Sequence, residues 1–148
     1  MNQVYQIHMV KSEQEKADAL AVRRIVFVEE QQVPEELEID EHDHPDAAAL
    51  HFVAYAGERP VGASRLRPYA PGVGKVERVA VLASERGTGL GRHIMLAMED
   101  AARQQGFAKL KLNAQTQAQR FYEKLGYLPV GDVFDEAGIE HIAMEKTL

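Results

Sequence analysis

The tightest constraint on this chain is a strand, a glycine loop, a helix and a second strand, in succession from Lys75 to Asn113. Lys75–Val81 carries Val76, Val79 and Val81, residues that favour extended backbone. Glu85-Arg86-Gly87-Thr88-Gly89-Leu90-Gly91-Arg92 follows, and Leu90, Ile94, Ala97, Met98 and Ala101 then recur at helical spacing until Gly106. Lys109–Asn113 reads as the next strand. A strand–helix–strand passage of this length predicts a right-handed crossover that sets two parallel strands side by side. The helix start is an anion site in waiting, because its first N–H groups lack partners and carry partial positive charge. Gly87, Gly89 and Gly91 leave those amides uncovered, and Arg86 and Arg92 add charge. A diphosphate is the expected ligand. No lysine follows the glycines as a Walker loop requires, and Gly89-Leu90-Gly91-Arg92-His93-Ile94 lacks the last glycine of a dinucleotide fingerprint. The second strand ends in Asn113 where a ribose-binding acid would stand.

The rest of the chain surrounds this unit without repeats or low-complexity linkers. Residues 3–9 predict a strand. Ser12 and Glu15 form a capping-box signature, with Ala17, Leu20, Ala21, Ile25 and Val28 at helical spacing until the helix fades before Pro34. Leu50–Ala56 and Pro60–Arg67 predict strands joined at Gly57-Glu58-Arg59. Thr116–Leu125 predicts a helix closed by Gly126. Tyr127–Phe134 and Ile139–Lys146 predict a terminal hairpin about Asp135–Gly138. The order is β-α-β-β-β-α-β-α-β-β, an α/β (α+β) chain expected to form one domain over residues 1–148. Its 148 residues suffice to bury a core unaided.

Charge and composition narrow the function. The net charge of −6 disfavours a nucleic-acid partner. No apolar run reaches membrane-spanning length, and the first residues lack the layout of a secretory signal. A cysteine count of zero leaves no disulfide, thiol nucleophile or thiolate metal site, in keeping with a cytoplasmic protein. Glu41-His42-Asp43-His44 lacks a clear spacing and a distant further ligand, so no metal is expected. Acid crowds into Glu35–Asp46, which reads as a solvated loop or as a rim attracting a cationic amine.

Several blocks resemble the GNAT superfamily of N-acetyltransferases. Arg86-Gly87-Thr88-Gly89-Leu90-Gly91 matches its R/Q-x-x-G-x-G/A signature. Glu77-Arg78-Val79-Ala80-Val81 looks like its central strand. Asn113-Ala114-Gln115 and Phe121–Tyr127 resemble the second half of its cofactor site. Arg24–Gln31 and Phe134–His141 are similar to the small bacterial ElaA-type branch. The resemblance covers nearly the whole chain and implies a mixed sheet of about seven strands flanked by helices, with parallel strands 4 and 5 splayed apart.

It further implies acetyl transfer from acetyl-coenzyme A to a primary amine of a small molecule or peptide, by direct attack in a ternary complex. Arg86, Gly87, Thr88, Gly89, Leu90, Gly91 and Arg92 would bind the pyrophosphate, and Asn113 the pantetheine arm. Backbone amides around Val79, Ala80 and Val81 would hold the thioester oxygen. Tyr122 would face the sulfur; it needs a lowered pKa or acts as a hydrogen-bond donor. An alkyl ammonium must lose a proton before attack. Glu77 is the leading base, with an ion pair to Arg78 or Lys75 as its bland alternative. Glu29, Glu30 and His141 are the weaker candidates, at the acceptor side. A non-catalytic acyl-coenzyme A sensor is the alternative function, and an exposed strand of the terminal hairpin could pair across a homodimer.

Overall fold

The computed structural model describes residues 4–148, so Gln3, expected to start the first strand, lies outside them. The elements are β1 (Tyr5–Met9), α1 (Glu13–Arg23), α2 (Glu35–Glu38), β2 (Leu50–Ala56), β3 (Arg59–Ala70), β4 (Val73–Val81), α3 (Leu90–Gln104), β5 (Lys109–Gln115), α4 (Gln119–Lys124), β6 (Leu128–Glu136) and β7 (Ile139–Thr147). The strands form one seven-stranded sheet in the order β1-β2-β3-β4-β5-β7-β6. Only β4 and β5 run parallel, as the crossover requires. The terminal hairpin closes on Ala137 and Gly138, both at positive φ, the geometry of a two-residue turn.

Helices cover both faces of the sheet. On one face α3 buries Leu90, Ile94, Met95 and Met98 against Phe52, Val61, Leu66 and Leu110. The helix lies so close to β3 that a Cβ on Gly62 would stand 2.7 Å from Ile94 Cδ1, so any larger residue there would force Ile94 to shift. Gly106, at φ +85°, ends α3, with the Phe107 amide reaching back to the Ala102 carbonyl at 3.0 Å. On the other face a smaller cluster of Ala19, Val22, Val26, Val53, Ala63 and Ala80 seats α1.

The first helix departs from its expected pattern. Ser12 Oγ caps the Glu15 amide at 3.1 Å, but the Glu15 carboxylate turns back to the Lys11 amide instead of completing the box. Beyond Arg23 the helix widens into a π turn over Arg24–Glu30. The side facing the sheet is Ala19, Val22, Arg23 and Val26, not the stripe from Ala17 to Val28. That stripe borders a small groove against α2 and Ile39. The reason is Arg23, which is fully buried because carboxylates wait for it inside.

Candidate active site

The β4–β5 ladder covers only Val73–Val76 against Lys109–Leu112. Beyond it β4 bulges: its register with β3 shifts between Ala63 and Arg65, and Arg78 stands at φ +57°. β5 meanwhile stays with β7 as far as Gln115 opposite His141. The two parallel strands therefore splay, and a cavity of about 1020 Å³ opens between them. Its walls include Val79, Ala80 and Val81 of β4, Asn113 of β5, Tyr122 of α4, and the loop entering α3.

That loop behaves as its glycines predict. Gly87 and Gly89 take φ of +79° and +89°, and a Cβ on either would meet nothing within 4 Å. Among the described residues the amides of residues 87–92 find no acceptor; the first helical bond is His93 N–H to the Gly89 carbonyl. Apart from Thr88, the residues that carry them line the cavity, as does Arg86. The Thr88 hydroxyl braces the loop from outside, donating to the Glu85 carbonyl and accepting from Tyr5. Gly91 packs against Phe121, where an added Cβ would stand 3.2 Å from the ring and press it aside. Such a cradle of free amides and guanidinium groups suits a diphosphate.

Tyr122 is buried, edge-on to Phe121 and Tyr127. Its hydroxyl has no hydrogen-bond partner among the described residues, and burial raises its pKa. Of the two alternatives read from the sequence, this environment favours a tyrosine that keeps its proton and donates.

Glu77 lines the cavity but is heavily paired. Arg67 Nε lies 2.8 Å away, Arg65 Nη2 2.9 Å and Lys75 Nζ 3.3 Å. Burial alone would raise its pKa; the Arg67 bond and the charges of Arg65 and Lys75 outweigh that and lower it to about 2. A carboxylate so held is a poor base. Lys75 is a partner as the bland reading had it, whereas Arg78 turns to the carbonyls of Leu37 and Glu38 and to Asp40.

The acidic run is likewise not simply a solvated rim. Glu38 and Asp43 are buried, and with Asp40 they satisfy Arg23, Arg65 and Arg78. Arg23 Nη1 sits 2.7 Å from Asp43 Oδ1, and Arg65 Nη1 2.7 Å from Asp40 Oδ1. Burial opposes ionisation of Asp43, but the Arg23 contacts dominate and hold its pKa far below the usual range. This network ties the cavity wall at Leu37–Asp40 to β3, β4 and α1.

The acceptor-side candidates separate. Glu29 is exposed, pairs loosely with Arg24, and does not line the cavity. Glu30 does, clasping Arg86. His141 is buried at the cavity wall, stacked on Phe134. Sequence reading missed Glu136, which the hairpin turn absorbed, and the reciprocal amide pair of Gln31 and Gln115. The Gln pair had no signal, since its members lie 84 positions apart.

The profile of the acetyltransferase (GNAT) domain matches residues 10–148. The uncharacterized N-acetyltransferase YjcF of Bacillus subtilis is 48% identical over 139 residues, 93% of this chain and 96% of its own. Escherichia coli ElaA superimposes with a TM-score of 0.83 at 26% identity, covering 97% of this chain and 98% of its own. An aminoglycoside 6′-N-acetyltransferase complexed with coenzyme A shares the fold, with a TM-score of 0.78 at 17% identity over 96% of each chain. Fold and relatives together define the class as acyltransferase. The chain belongs to the GNAT superfamily of N-acetyltransferases. Among the described residues no helix is long and apolar enough to cross a membrane.

Proposed function

We propose that this chain is a single-domain N-acetyltransferase that moves an acetyl group from acetyl-coenzyme A to a primary amine of a small molecule or peptide, by direct attack in a ternary complex. The observation that carries this reading is the set of unpartnered amides at Gly87, Gly89, Leu90, Gly91 and Arg92, residues that line the same cavity as the split strands and Tyr122. The coenzyme A complex of a protein sharing this fold supports the cofactor class.

The cofactor supplies an activated thioester. In this scheme the amides of Gly87–Arg92 and the Arg86 and Arg92 side chains bind its pyrophosphate. Asn113 and the β5 edge receive the amides of the pantetheine arm as an added strand would be received. Past Val76 the β4 backbone has no β5 partner, and amides around Val79–Val81 are assigned to the thioester oxygen. Tyr122 donates its proton to the departing sulfur. Glu77, fixed by its cations, holds the bulged strand in place and does not move a proton.

Purified protein given acetyl-coenzyme A and a panel of amines should release free thiol, read with a thiol-reactive dye. Tight cofactor binding with no release across broad panels would overturn the reading in favour of a sensor.

A further inference from the structure

Direct attack leaves one proton without a destination. Removing Glu77 from that role raises the question of which group lining the cavity can accept it. Glu30 is occupied by Arg86, and Asp40 by Arg65 and Arg78. His141 differs from all of these. Its Nδ1 lies 2.7 Å from the carbonyl oxygen of Ile139. A carbonyl only accepts, so Nδ1 must carry hydrogen, and in the neutral ring Nε2 then carries the lone pair. Stacking on Phe134 and burial in β7 hold the ring in that orientation.

Nε2 does not reach another donor among the described residues. Its neighbour is Glu136 Oε2 at 3.6 Å, itself an acceptor. The other oxygen of Glu136 is met by Asn113 Nδ2 at 3.5 Å. Glu136 is the one charged partner of His141 among the described residues. The positions opposite it, Gln115 on β5 and Phe134 on β6, carry no charge. Both Glu136 and His141 line the cavity. With the ring neutral, Nε2 and the Glu136 carboxylate are two acceptors a short span apart, complementary to a group offering several N–H bonds and a positive charge. A primary ammonium is such a group.

We infer that His141 Nε2 is the base that deprotonates the acceptor ammonium, with Glu136 steering the ammonium in and steadying the imidazolium that forms. This rests on the acetyl-transfer reading and deepens it. The N–H bond of the ammonium breaks as Nε2–H forms, and that proton passes on to solvent. The freed lone pair makes the C–N bond and the C–S bond breaks. The nitrogen then sheds a second proton to solvent, and solvent returns one to Tyr122 in place of the proton it gave the sulfur, so the net products are amide, thiol and one proton.

Three measurements test it. Nitrogen-15 spectra of the free protein should place the hydrogen of neutral His141 on Nδ1; an Nε2–H tautomer would overturn the inference without any acceptor. His141→Gln should keep coenzyme A affinity within about twofold while transfer to an alkyl amine falls on the order of 100-fold. With an amine already neutral at the assay pH the loss should shrink to a few-fold, which a merely structural role would not produce. Added imidazole should restore part of the rate to His141→Gly. Equal losses with both amines would refute the assignment. Full activity in His141→Gln would defeat it alone, whereas silence of the unaltered enzyme with cofactor bound would defeat the acetyl-transfer reading first.

Discussion

Arg86 and Glu30 are joined by both prongs of the guanidinium, at 2.5 Å from Nη1 and 2.8 Å from Nη2. Arg86 belongs to the anion cradle, whereas Glu30 ends the π turn that forms one wall of the cavity. A pyrophosphate approaching Arg86 meets a carboxylate already seated. Glu30→Gln should therefore tighten coenzyme A binding by about threefold, the size of an exposed ion pair, as read by calorimetry. Weakened binding would contradict competition between the two anions.

Tyr122→Phe deletes one oxygen and little packing. On the donor role, single-turnover transfer should slow on the order of 100-fold with cofactor affinity unchanged. Esters of coenzyme A analogues with better leaving groups should be affected less.

Acid should weaken the fold in two stages. His51 is nearly buried; burial first, then the charge of Lys16, lowers its pKa from 6.5 to about 4. The unfolded chain takes that proton as pH falls through 6.5 and the folded one only near 4, so stability drops across this window by up to about 3 kcal/mol. Glu77 adds a second loss between pH 4.5 and about 2, by the same sign argument. Denaturant midpoints measured against pH should lose the upper stage in His51→Gln and retain the lower.

Arg23→Met takes the closest cation from buried Glu38 and Asp43, leaving Glu38 with Arg78 at 3.6 Å and Asp43 with Arg65 at 3.0 Å. Removing one partner from such a cluster costs about 3–5 kcal/mol, which urea unfolding would register. A change below about 1 kcal/mol would mean that the carboxylates find water or protonate cheaply.

Gly62→Ala forces a methyl against Ile94, Ala54 and the Ala80 carbonyl. Destabilisation of about 1–3 kcal/mol is expected from overpacking. Pairing it with Ile94→Val should recover part of the loss, since the closest atom is the Ile94 Cδ1 methyl.

The central unit was legible because its signals are local. Gly87, Gly89 and Gly91 announce amides without cover, and Gly106 announces the end of α3. The parallel pairing of β4 and β5 follows from chain length alone. Three features were not legible, each for a physical reason. Arg78 adopts positive φ although arginine has no preference for it, because Leu37, Glu38 and Asp40 hold its side chain from a distant loop. The π turn at Arg24–Glu30 has the composition of an ordinary helix. Glu38 and Asp43 read as solvated charges because their partners Arg23 and Arg65 are 15 and 22 positions away. Glu77 was singled out by its position on β4, but what its carboxylate can do depends on Arg65 and Arg67 across the strand.

The short ladder between β4 and β5 divides the sheet mechanically. β1–β4 form one plate and β5–β7 another, stitched by the contacts of Val73–Val76 with Lys109–Leu112. Those rungs carry the hydrogen-bonded seam between the plates, while the apolar core under α3 continues across it from Leu66 and Val76 to Leu112 and Met144. The seam can therefore end early without parting the two halves.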